Sequence, residues 1–258
     1  MINHVVSINT ELTLFNLKKS LGISFLPVTF ILFISTNIDQ FLNAKIESIL
    51  RSQDVFPNIL WLWIVLSIMS SFLFPLLTTI IASYNISQTI KPITLNSYKP
   101  RSLRLFIDDV FEKSLLESMR AFGLACLWGL LFIIPGLVKY SYYLLTPFVV
   151  FFSQKYRLGE VDALEMSKKI SQAFWWKLNG LILIFVIIIP AFLSITFDEY
   201  TNFKSHFLAA TGFVAITALI NIVFHYLLLK KFFIYLAKEE NIEINNIETS
   251  TTTNPILT

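Results

Sequence analysis

An all-α polytopic membrane bundle is the fold class this sequence predicts, and three observations predict it. Hydrophobic types make up 55% of the 258 residues and charged types only 14%, where a soluble globular domain carries about 25% charge. Mean hydropathy is +0.67. The charges are also clustered, leaving uncharged runs of bilayer length. A soluble core has too few buried positions for that much apolar surface, which includes 25 phenylalanines. The same composition argues against disorder, a collagen-like fibre and a nucleic-acid module. Cys126 is the only cysteine, so a disulfide framework is impossible and the thiol reads as a small buried hydrophobe.

The spans follow in order from the charge-free runs. Residues 21–38 come first. Lys18 and Lys19 precede them as in a signal peptide, but 18 apolar residues exceed a signal h-region of about 7–15 and no small-x-small site follows, so an uncleaved span is expected. The second run covers 55–90, but its polar end leaves the membrane, which places the span at 58–83 with Pro57 beside its start. Only Lys139 interrupts residues 121–154. One helix of that length would be about 50 Å and would overshoot a core of about 30 Å. Pro135-Gly136 supplies turn chemistry, so a tight hairpin is expected, with spans at 121–138 and 140–154; a re-entrant loop is the alternative. Spans at 178–197 and 205–229 complete a count of six. Residues 1–237 thus form one transmembrane domain. Residues 238–258 mix acids with threonines and are expected to be a flexible tail.

Basic residues set the orientation. With the N-terminus cytoplasmic, inside segments hold sixteen Lys and Arg and outside segments four. That asymmetry predicts a multi-pass protein of the bacterial cytoplasmic (inner) membrane with both termini cytoplasmic.

The inside connections are patterned. Leu103, Phe106, Ile107, Val110 and Met119 recur at helical spacing within 101–120, and residues 162–177 are similar, ending on Trp175 and Trp176. A weaker stripe, Ile8, Leu12 and Phe15, precedes Lys18. Each reads as an amphipathic elbow before spans 1, 3 and 5, with its apolar face toward acyl chains and its bases toward anionic headgroups. The elbows, with an Ile-Ile-Pro run ending at Pro135 and again at Pro190, suggest an internal repeat of elbow plus two spans.

Chemistry-bearing patterns are scarce. His4, His206 and His225 lack metal-ligand spacing, and neither a nucleophile elbow nor a phosphate loop occurs among seven glycines. No Asp or Glu falls within a predicted span, which weighs against ion-coupled transport. No catalytic, cofactor-binding or metal residue is therefore expected. Asn179 and Asn221 read as interhelical hydrogen-bond donors. Pro27, Pro75, Pro135, Pro147 and Pro190 read as structural kinks. Ala121, Ala125 and Gly129 make a small-xxx-small face for close helix packing.

Trp128, Pro135, Gly136, Lys139, Pro147, Ala163, Ser167, Trp176 and Lys177 together form a motif over about a fifth of the chain. It resembles the pattern of the YciC-like and related bacterial multi-pass membrane families, akin to the membrane domain of some glycerophosphoryl diester phosphodiesterases. Ala173 stands where the family has a glycine. The resemblance implies a six-helix inner-membrane protein with structural motif positions and no assigned activity. It carries over no catalytic residue, and no segment here matches the phosphodiesterase barrel. The expected function is a non-enzymatic protein that organises or senses the membrane through lipids, anionic ones included, or through a protein partner or second copy. The alternative is a transporter or lipid-handling protein with a site among the kinked helices.

Overall fold

The computed structural model describes residues 14–52, 58–89, 103–197 and 207–239, and they contain helices and turns with no strand. The helices are α1 (Leu14–Ser52), α2 (Asn58–Thr89), α3 (Leu103–Leu131), α4 (Ile133–Tyr143), α5 (Thr146–Phe152), α6 (Gln154–Arg157), α7 (Ala163–Ala173), α8 (Trp175–Ile182), a π-helical segment (Leu183–Ile188), α9 (Ile189–Phe197) and α10 (Phe207–Glu239). Among the described residues, five stretches are long and apolar enough to cross a membrane: Leu17–Arg51, Asn58–Thr89, Ile107–Leu131, Trp175–Thr196 and Phe207–Leu236. The expected span at 140–154 is divided between α4 and α5, of 11 and 7 residues, and neither can cross alone.

Most helices outrun their apolar cores. α1 begins ahead of Lys18-Lys19 and carries on through Asp39 and Lys45, because those residue types are good or neutral helix formers. α1 and α2 form an antiparallel hairpin. The Ser20 and Thr89 hydroxyls meet at one end, and the Ser70 hydroxyl donates to Asp39 at 2.8 Å further along. α10 lies against both. There His225, 6% exposed, sits between Thr79 of α2 (3.1 Å to Nε2) and the Asn221 carbonyl of its own helix (2.8 Å to Nδ1). Its ring meets Phe148 of α5 edge-on, so it is a packing residue that ties three elements together. The main core is aromatic and lies where α5 meets α10, with Phe148, Phe151 and Phe232 fully buried.

The prolines divide into two groups. Pro27 and Pro75 lie inside α1 and α2. Pro135 and Pro147 each sit in the first turn of a new helix, where the missing N–H has no intrahelical partner to lose, whereas Pro190 follows the π segment without a break. Pro190 cannot donate to the Val186 carbonyl one turn earlier, and the helix widens to π geometry just before it.

Two expectations about elbows change. The first falls mainly on residues 1–13, outside the described residues. The second is not a separate element: residues 103–120 are continuous with the apolar half of α3. The expected tail lies outside the described residues from 240 onward, and 238–239 complete α10.

Candidate functional site

The motif residues from Trp128 to Ser167 lie on one helical hairpin and the short helices at its base, built by a chain reversal, while Trp176 and Lys177 lie beyond it, exposed on α8. α3 ends at Leu131, Phe132 takes an extended conformation (φ −156°, ψ 134°), and α4 folds straight back. Pro-Gly was the expected turn, yet the break lies three residues earlier and Pro135 already sits in α4. Gly136 explains the close return. A Cβ placed there would lie 2.5 Å from the Gly129 Cα and 2.9 Å from its nitrogen, inside any real contact distance, so only glycine lets α4 rest on α3. Ala125 and Ala121 are buried along α3, and the expected small-residue face thus works within the chain. Lys139, on α4, places its ammonium over the Trp128 ring at 5.2 Å. The tip is apolar and exposed, with Leu130 86% and Phe132 71% accessible.

α7 crosses the base of this hairpin. Asp162 starts it: Oδ1 accepts from the backbone N–H of Leu164 (2.9 Å) and Glu165 (3.2 Å), an N-cap that satisfies two of the four orphan donors. Its other oxygen takes the Arg120 guanidinium at 2.6 Å, tying the start of α7 to the middle of α3. Burial alone would raise the Asp162 pKa, but the Arg120 hydrogen bond, the two backbone donors and the guanidinium charge together hold it below the usual carboxylate range. Ala163 and Ser167 are fully buried. Ser167 donates to the Tyr142 carbonyl at 2.8 Å and Ser171 to the same oxygen at 3.2 Å. That carbonyl closes α4 just before Pro147 opens α5. The motif positions Ala163 and Ser167 therefore secure the place where the broken helix turns.

α7 is amphipathic as expected, but its apolar face does not meet acyl chains. Leu164, Met166 and Ile170 are buried against the protein, and α7 lies on α4, α5 and α10. Its outward face carries Lys168 and Lys169, the latter paired with Glu165 at 3.1 Å. After a break at Phe174, α8 carries Trp176, 82% exposed, and Lys177, also exposed. The basic residues of α7 are thus exposed, while its apolar face serves the interior.

Comparison of the chain with family models, curated proteins and solved structures finds no match. The site therefore rests on its geometry alone.

Among the described residues no group of His, Cys, Asp and Glu is arranged to hold a metal. His4 and His206 lie outside them. Asn179 and Asn221 donate their amides to carbonyls of their own helices, Trp175 at 2.8 Å and Thr217 at 3.2 Å, and not across helices. Asn221 also borders a cleft of about 260 Å³ between the π segment with α9 and helix α10. Phe185, Val186, Pro190, Phe213, Ile220 and Phe224 make its walls apolar. Sequence reasoning missed three features. The Arg120–Asp162 tie had one available signal, the Asp-x-x-Glu spacing of a helix start at Asp162 and Glu165. The break at Phe132 and the apolar cleft had none.

Proposed function

We propose that this chain is a non-enzymatic multi-pass protein of the bacterial cytoplasmic membrane, in keeping with the family resemblance, and that it engages anionic lipid through its cytoplasmic face. In this reading α1, α2, α8–α9 and α10 cross fully, and the α3–α4 tip is a re-entrant hairpin. Arg120 marks the water side, because its partner Asp162 heads a helix whose outward face is charged. From Arg120 to the tip at Phe132 the chain rises only about 18 Å, roughly half of a 30 Å core. At that depth the exposed tip keeps its backbone paired, the Phe132 N–H donating to the Trp128 carbonyl at 3.0 Å and the Gly136 N–H to the Phe132 carbonyl at 3.2 Å. The hairpin returns to the side it left, so both termini are cytoplasmic and the basic asymmetry is kept: with Lys139 on the re-entrant hairpin, outside segments hold only Lys45, Arg51 and Lys204.

One observation carries the lipid reading. α7 is clamped to the bundle by its apolar face, its N-cap and two serines, which leaves Lys168 and Lys169 exposed, and the exposed Trp176 and Lys177 follow in the first turn of α8. A basic, tryptophan-bearing surface suits anionic headgroups. Membrane lipid is thus the principal partner; a protein partner or second copy would dock on the same face. The transporter reading draws less support, since the cleft that Asn221 borders is apolar and Asn221 is engaged with its own helix.

Hydrogen exchange in nanodiscs tests the proposal. In anionic bilayers, residues 163–177 should exchange more slowly than in neutral ones, and Lys168→Gln/Lys169→Gln/Lys177→Gln should abolish that difference. Equal protection in both bilayers would leave α7 as a purely structural clamp.

A further inference from the structure

Lys177 does not stand alone. Phe174 stacks on Tyr235 (centroids 5.0 Å, planes 12° apart), and Phe185 stacks on Phe224 (5.6 Å, 27°). Both pairs fit one antiparallel register between α8 with its π extension and α10. In that register Lys177 lies level with Phe232, beside Lys231 and Lys230. Three positive charges therefore gather at one level of this helix pair. None of the three has an ion-pair partner among the described residues, and Leu178 and Phe232 beside them are fully buried. Three unpaired cations held together at a helix junction repel one another and attract a shared anion.

The apolar cleft opens between the same two helices. Its near wall, Phe185 with Phe224, lies about 12 Å below Lys177 along the helix, within the leaflet of about 15 Å that begins at these lysines. Its far end is bordered by Ile189, Pro190 and Leu193 of α9 and by Phe213 of α10. Charge above and an apolar slot below, on one helix pair, match the two ends of one kind of molecule.

We propose that α8–α9 and α10 form a binding site for a single anionic phospholipid of the cytoplasmic leaflet. Lys177, Lys230 and Lys231 hold its phosphate, and an acyl chain lies in the cleft past Phe185 and Val186. The site rests on the lipid-contacting reading of this face and adds to it a discrete, stoichiometric position. It uses charge complementarity where the α7 surface offers only a diffuse field.

Native mass spectrometry of the full chain, titrated with phosphatidylglycerol or phosphatidylcholine of identical acyl chains, tests it. Wild type should retain one phosphatidylglycerol and discriminate against phosphatidylcholine. Lys177→Gln/Lys230→Gln/Lys231→Gln should weaken phosphatidylglycerol retention about a hundredfold, and the corresponding triple Arg variant should keep it. Ile220→Trp, which fills the cleft, should weaken retention while all three lysines remain, and thermal unfolding of each variant reports that the bundle is intact. Equal retention of the two lipids, indifference to the triple Gln change, displacement by millimolar inorganic phosphate, or a dimer in place of the lipid would each overturn the site. Should α7 protection still depend on anionic lipid in that event, only the discrete site falls and the broader reading stands.

Discussion

Two glycines at the hairpin make opposite demands although they touch. Gly136 has no room for a Cβ, with backbone atoms of Gly129 at 2.5 and 2.9 Å, while a Cβ on Gly129 would point into open space. Overpacking against backbone costs about 1–3 kcal/mol. Gly136→Ala should therefore lower the detergent Tm and loosen α4, whereas Gly129→Ala should be neutral or slightly stabilising through helix propensity. Equal effects in a thermal melt would mean that the close approach does not hold the hairpin. The sequence made this face legible as Ala121, Ala125 and Gly129 at four-residue spacing, but it did not identify the partner. A proline-glycine pair suggests a turn at itself; proline is equally at home in the first turn of the next helix, and the reversal moved upstream to Phe132.

At the scale of the element, α7 shows how an amphipathic pattern can be read correctly and assigned to the wrong surroundings. Ala163, Met166, Ser167 and Ile170 fall on one face by helical spacing, and all four are buried in the fold. Periodicity reports that a face is buried, and it does not report whether protein or lipid covers it. Only the contacts to α4, α5 and α10 decide that. Likewise residues 103–120 carry an elbow pattern but continue into α3, because no helix-breaking residue stands between the charged half and the apolar half. Asp162 anchors α7 twice, as N-cap and as the Arg120 partner. Asp162→Ala should cost about 1–2 kcal/mol by losing both roles, and Asp162→Asn under about 1 kcal/mol, since asparagine still caps and the pair is partly exposed. Because the folded state holds this carboxyl below its usual range, its contribution is present at neutral pH and is lost as pH falls through that lowered value. The Tm difference between wild type and Asp162→Asn should accordingly shrink on acidification. A difference that persists in acid would assign the effect to packing.

For the whole molecule, charge clustering was the strongest signal the sequence held. It located the apolar stretches at 21–38, 58–83, 178–197 and 205–229; the described residues of each lie within a long helix or, for 178–197, a helical run with a π segment. The expected pair at 121–138 and 140–154 was the weak place, since an uncharged run cannot say how deep it goes. Depth depends on where Arg120 is held, and that is fixed by a contact 42 residues away in the chain. Labelling of single cysteines with a membrane-impermeant maleimide, in a Cys126→Ser background, tests the topology directly. Glu160→Cys, in the turn ahead of α7, should react only after the cytoplasmic membrane is opened, and Phe132→Cys, at the hairpin tip, should stay unreactive from outside in intact cells. Labelling of Phe132→Cys from outside would make α3–α4 a full crossing, and labelling of Glu160→Cys in intact cells would put the basic face on the wrong side of the membrane and contradict the account.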